Sequence, residues 1–233
     1  MPKMPECRSI LDELEASLAS GNVHHRLKVL QRVTDLFVAG SCHYSGAGIA
    51  LFDDVLTRLV AEIETQARAR LARRLAPLPN APPGLIRRLA FDDAIQVAAP
   101  VLTSSPQLSD ADLIENAATK GQDHLYAIAQ RLKLSEAVTD VLVERGNRRV
   151  VTRVACNDGA QFSFKTYERL VQCARDDRRL ALSIGGRSDI PRQCFLKLLE
   201  SASAEVRRKL EAMNPGRPRD QGYDRRGCRH DAA

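Results

Sequence analysis

From residue 108 to residue 203 the chain repeats one pattern of apolar and polar positions. An apolar residue followed by serine, at Leu108-Ser109, Leu134-Ser135 and Phe162-Ser163, opens a run with helical spacing, and Ile190-Pro191 opens a fourth, at steps of 26, 28 and 28 residues. A near-constant period of this size marks a stacked repeat array, because each unit can bury its apolar side only against its neighbours. The first helix of each unit carries Leu113, Ile114 and Ala117, then Val138, Val141 and Leu142, then Leu170, Val171 and Ala174, then Phe195, Leu198 and Leu199. Ser109, Ser135 and Ser163 are N-caps whose hydroxyls satisfy an orphan backbone N–H, and Pro191 suits a first turn that needs none. Gly121 and Gly146 close the first two helices as C′ glycines. A shorter second helix is predicted over 125–131, 150–157 and 180–187, each ending in a polar side chain, and Val206 to Leu210 begins a last copy.

Upstream, Ile10, Leu11, Leu14 and Leu18 predict a helix over 5–20, and Leu27, Leu30, Val33, Leu36 and Phe37 a second over 23–38. Ser45 caps a third, longer helix with the stripe Phe52, Leu56, Leu59, Ile63, Ala67 and Leu71. Arg68, Arg70, Arg73 and Arg74 crowd its C-terminal end, where positive charge complements the helix dipole or offers a basic surface. Pro77, Pro79, Pro82 and Pro83 then forbid a continuous helix and make a hinge. Past it, 82–89 reads as a further opening helix 27 residues before Ser109, and 95–102 as its partner, interrupted by Pro100. The expected organisation is an N-terminal region of about three helices over 1–81, a solenoid of four to five helical pairs over 82–213, and a basic flexible tail over 214–233 with five arginines and Tyr223.

Composition narrows this further. Aromatics are only 4% with no Trp, so the core is expected to be aliphatic, which argues against a sheet-rich sandwich. No apolar run approaches the ~18 residues of a membrane span, and no leader pattern opens the chain, so a soluble, cytoplasmic protein is expected. The six cysteines form no C-x-x-C pair, which argues against a zinc knuckle or disulfide framework. Cys156, Cys173 and Cys194 fall on predicted helices and are expected as small buried side chains. The formal charge of +6 divides into +1, +3 and +2 over 1–81, 82–213 and 214–233, so no segment is a strong polycation.

The stretches Ala127-Ile128-Ala129-Gln130-Arg131, Leu134-Ser135-Glu136-Ala137-Val138-Thr139-Asp140 and Leu142-Val143-Glu144-Arg145-Gly146, continued by Ala155-Cys156-Asn157 and Arg187-Ser188-Asp189-Ile190-Pro191, resemble the bacterial family called domain of unknown function 2336. The A-x-R and A-x-N endings also look like those of HEAT repeats and the leucine-rich-repeat variant. The resemblance implies an all-α, right-handed α-solenoid and no established activity. Gly185-Gly186 before Arg187 departs from the pattern and predicts a shorter or bent helix there.

Two sets of residues stand out as candidate sites. Arg131, Asn157 and Arg187 recur at 26 and 30 residues, and such a ladder bonds carbonyls of the adjoining turn or faces a ligand. Arg145, Arg148, Arg149 and Arg153, followed one repeat later by Arg178 and Arg179, form a basic rim, with Glu144, Asp176 and Asp177 close enough to neutralise much of it. His24, His25, Cys42 and His43 lack the spacings of a metal site. His124 has no nucleophile tied to it, while Asp92-Asp93 and Asp176-Asp177 sit where N-caps are wanted. No catalytic residue, cofactor or metal is therefore assigned. The expected function is a non-catalytic scaffold for an unknown protein partner. The alternative is nucleic-acid binding through the rim and tail, and a third reading is a repeat-fold enzyme acting on DNA, which needs stacking aromatics that the chain scarcely has.

Overall fold

The computed structural model describes residues 23–40 and 43–214, with backbone alone at 23–25. The helix expected over 5–20, the tail beyond Asn214, and the side chains of His24, His25 and Cys42 lie outside the described residues. Among those described, thirteen α-helices and no strand are present. They are α1 Val23–Gly40, α2 Gly46–Ala61, α3 Thr65–Leu75, α4 Pro83–Ala90, α5 Ile95–Ser104, α6 Asp110–Thr119, α7 Gln122–Ile128, α8 Glu136–Arg145, α9 Arg148–Ala155, α10 Phe164–Cys173, α11 Arg178–Gly185, α12 Arg192–Ser201 and α13 Ala204–Met213.

Packing follows chain order. α3, α5, α7, α9, α11 and α13 lie side by side as one layer, and the other layer holds α2 against α4 and the run α6, α8, α10 and α12. One continuous aliphatic core runs between the layers, from Leu56 and Leu59 through Leu85, Leu89, Leu102, Leu125 and Leu142 to Leu198 and Leu210, all fully buried. The array is thus a stack of helical pairs. It reaches upstream of the proline segment, because α2 packs on α4 and α3 on α5. Across that segment Asp53 of α2 accepts the Gly84 and Leu85 amides at 2.8 and 2.6 Å, serving orphan donors at the start of α4 that Pro82 has no side chain to satisfy.

Several expectations are corrected. The long third helix is two helices, since the chain reverses over 62–64 and the stripe from Phe52 to Leu71 is split between α2 and α3. Arg68 holds the reversal open: its guanidinium donates to the Ile63 carbonyl at 2.9 Å and to Asp92 at 2.7 Å, so it lies in the first half of α3 and only Arg73 and Arg74 occupy the last turn. α5 runs straight through Pro100 rather than stopping there. The second helices begin and end two to three residues earlier than predicted, which leaves Arg131, Asn157 and Arg187 in the turns beyond them. α11 has the same eight residues as α9 despite Gly185-Gly186. There glycine gives room instead: a Cβ on Gly185 would stand 2.2 Å from Leu210, so its absence lets the last pair close on α11.

Gly121 and Gly146 are not left-handed C′ residues, for both are extended, at φ −83° and −69°. Gly121 is instead the N-cap of α7, and Gly146 is needed because a Cβ would meet the Leu142 carbonyl at 2.3 Å. The serine caps also differ from one another. Ser109 forms a full capping box with Asp112, and Ser163 caps Thr166 while also bonding Asp140, whereas the Ser135 hydroxyl is buried and has no partner among the described residues.

Candidate functional site

Side chains stitch one pair to the next along both edges of the stack. On the edge where each second helix hands over to the next repeat, Arg131 donates to the Leu102 and Ser105 carbonyls, both at 2.8 Å. Asn157 donates to Ala129 and Arg131 carbonyls at 3.2 and 2.7 Å, and Arg187 to Asn157 and Ala160 carbonyls at 2.7 Å each. Asn214, expected to begin the tail, takes the next rung by bonding the Gly185 carbonyl at 2.9 Å. The Leu102 and Gly185 carbonyls close α5 and α11, and the others lie in the residues just beyond a helix end; a side chain from the next repeat reaches each.

Arg187 is the most committed of the four. It is buried, stacks over Phe162 at 4.6 Å, and its Nε also donates to the Tyr167 hydroxyl and to Asp189 at 3.2 and 2.9 Å. Burial would lower its pKa, but Asp189 and Tyr167 outweigh that and raise it. Burial pushes the Tyr167 phenol up to about 12. Burial would likewise raise Asp189, and Arg187 reverses the direction, so the carboxylate titrates below its usual range. Beside this cluster a groove of about 850 Å³ runs along the loop edge, lined among others by Asp110, Lys133, Ser135, Asp158 and Asp189. It crosses a short parallel bridge between Leu134 and Ala160, next to Leu132, which is 90% exposed.

The opposite edge carries the arginines of the rim, most of them engaged. Arg145 donates to the Ala117 carbonyl, and Arg148 Nε to Asp177 at 2.6 Å. That bond holds the Asp177 carboxyl below the usual range and the Arg148 guanidinium above its own. Asp177 at the same time caps α11 through the Arg179 and Leu180 amides. Arg149 lies 3.8 Å over the Tyr126 ring and 3.7 Å from Asp123. Arg178 grips Glu205 with two bonds of 3.1 and 2.6 Å. Arg153 and Arg179 have no side-chain partner among the described residues. The geometry therefore divides the six into four held cations and two free ones.

His124 is buried in α7, its Nε2 2.9 Å from the Asp92 carbonyl, as one more stitch between repeats. Asp92 accepts the Ala94 amide at the start of α5. Of the three cysteines expected to be buried only Cys194 is, because Cys156 and Cys173 fall at helix ends, where the apolar stripe has run out. Among the described residues no group of three or more His, Cys, Asp or Glu side chains stands ready for a metal ion, and no helix is long and apolar enough to cross a membrane.

What sequence reasoning missed is the sorting of charge between layers. The second-helix layer, α3, α5, α7, α9, α11 and α13, carries twelve Lys and Arg against three Asp and Glu, while the other layer, α2 to α12 by even number, carries eight against ten. A signal was present, since alternate helices alternate in charge, but counting by consecutive segments averages it away. A family model described as "uncharacterised protein conserved in bacteria (DUF2336)" matches residues 97–224, more than half of the chain. No curated protein and no solved structure matches it.

Proposed function

The chain belongs to the DUF2336 family of uncharacterised proteins conserved in bacteria, and from that premise we propose that it is a cytoplasmic scaffold without catalysis of its own, a right-handed, HEAT-like solenoid whose curved face receives a protein partner. The observation that carries this reading is the double row of stitches. Arg131, Asn157, Arg187 and Asn214 on one edge, and Arg148 with Asp177 and Arg178 with Glu205 on the other, hold successive pairs in one arrangement. A face fixed before its partner arrives loses less freedom on association, which is how repeat proteins bind along extended surfaces.

One observation favours a second reading, nucleic-acid binding: the cation excess of the second-helix layer. Capture of the tagged protein from its native cell, beside an Arg148→Glu, Arg149→Glu version, separates the two. The scaffold reading expects a protein partner in the sample and no nucleic acid with it. Nucleic acid in the sample, lost steeply between about 50 and 200 mM salt, decides for the other, because each phosphate contact releases counterions.

A further inference from the structure

Resting on the scaffold reading, we infer that the partner docks through an acidic, extended segment laid across α9 and α11, with its carboxylates on Arg153 and Arg179. These two side chains are exposed and without partners among the described residues. They also lie on one surface. Cys156 Sγ and Ser183 Oγ touch at 3.1 Å where α9 and α11 meet, and one helical turn back from that contact come Arg153 on the one helix and Arg179 on the other.

Three features of this surface point to carboxylates. First, the same row already binds them twice from within the chain, Asp177 on Arg148 and Glu205 on Arg178, each from the next helix along. An incoming acidic side chain repeats on the free guanidinium groups a geometry that the row already uses. Second, α9 and α11 both begin with an Arg-Arg pair and have no acid in their first turn. The helix dipole disfavours cations at such a start, and at α11 the chain sets a carboxylate there, Asp177 as N-cap. Third, α9, α11 and α13 contain no aromatic residue on which a base could stack, and the neighbouring Tyr126 ring is covered by Arg149. Stacking platforms are what single-stranded nucleic acid needs.

Spacing adds a requirement. Packed helices stand about 8–10 Å apart, and an extended chain of polyproline II type advances about 3.1 Å per residue with about three residues per turn, so the favoured ligand places acids three residues apart, on one side of the chain.

The probes are a labelled peptide with glutamate at every third position, the same peptide with lysine, and an oligothymidylate of equal charge, titrated by anisotropy against the full chain. The glutamate peptide should bind, lose at least about tenfold in affinity, about 1.4 kcal/mol, in Arg153→Glu, Arg179→Glu, and keep its affinity in Lys165→Glu on the other layer. Neither arginine side chain bonds a described residue, so the double variant should melt with the parent protein. Tighter binding of oligothymidylate, equal binding of the lysine peptide, or equal loss in Lys165→Glu overturns the inference. Capture from native cells separates its failure from that of the scaffold reading. A protein held equally by parent and double variant leaves the scaffold standing and overturns the acidic segment, whereas no captured protein from either removes both.

Discussion

At the scale of single residues, identical letters do different work according to what surrounds them. Ser109 and Ser135 occupy the same place in successive repeats, yet the first closes a capping box and the second buries a hydroxyl with no described partner. Ser109→Ala should therefore cost about 1 kcal/mol, whereas Ser135→Ala should be neutral or stabilising, since it removes an unsatisfied polar atom. Urea midpoints of the two variants check this, and equal losses would contradict it. Asp177 gives a pH-dependent counterpart. Its folded pKa lies below the unfolded value, chiefly because of Arg148, so its contribution is present above about pH 4 and is lost as pH falls through the folded value. In Asp177→Asn the amide oxygen can still cap α11 while the charge is gone. Unfolding followed from neutral to acid pH should show the variant less stable at neutrality and the two proteins converging in acid.

Among the elements, α5 shows burial overriding propensity. Pro100 removes one backbone bond and disfavours a helix interior, but Val97, Ala98, Val101 and Leu102 are fully buried on either side of it and hold the helical path. Because the helix is already formed, Pro100→Ala should raise stability by about 1–2 kcal/mol, the restored propensity less the entropy that proline removes from the unfolded chain. Thermal or urea unfolding measures it, and a loss would mean that the proline fits a bend the helix requires. The split between α2 and α3 makes the complementary point. Their stripe is unbroken in sequence, and the reversal depends on Arg68 reaching Asp92, 24 residues away, a contact that no local pattern encodes.

Over the whole molecule, stability is set by nearest-neighbour interfaces, so weakening one should divide the stack. Arg187 bridges the turn after α9 to the turn after α11, with Tyr167 and Asp189 around it. Arg187→Ala leaves the buried Ala160 carbonyl unpaired and the Asn157 carbonyl with the Ala160 amide alone, and should cost about 3–5 kcal/mol. The loss should fall on one interface, turning a single urea transition into two, with α10 to α13 exchanging amide hydrogens first. Arg187→Lys should recover only part of this, because an ammonium cannot reach both carbonyls and the carboxylate from one planar fork. A single, uniformly shifted transition would show that the repeats unfold as one body.

The repeat period, the helix starts at Ser109, Ser135 and Ser163, and the apolar side of every pair after Pro82 were legible in the sequence, because each rests on bonds or stripes within about ten residues of chain. Tertiary structure alone decided where the array begins, what Asn214 and Asp53 do, and which arginines of the rim remain free. Those outcomes depend on partners some 25 to 32 residues away, such as Asp177 for Arg148, Glu205 for Arg178 and Leu85 for Asp53. Local spacing places a charge on a helix, but only the neighbouring repeat determines whether that charge is neutralised.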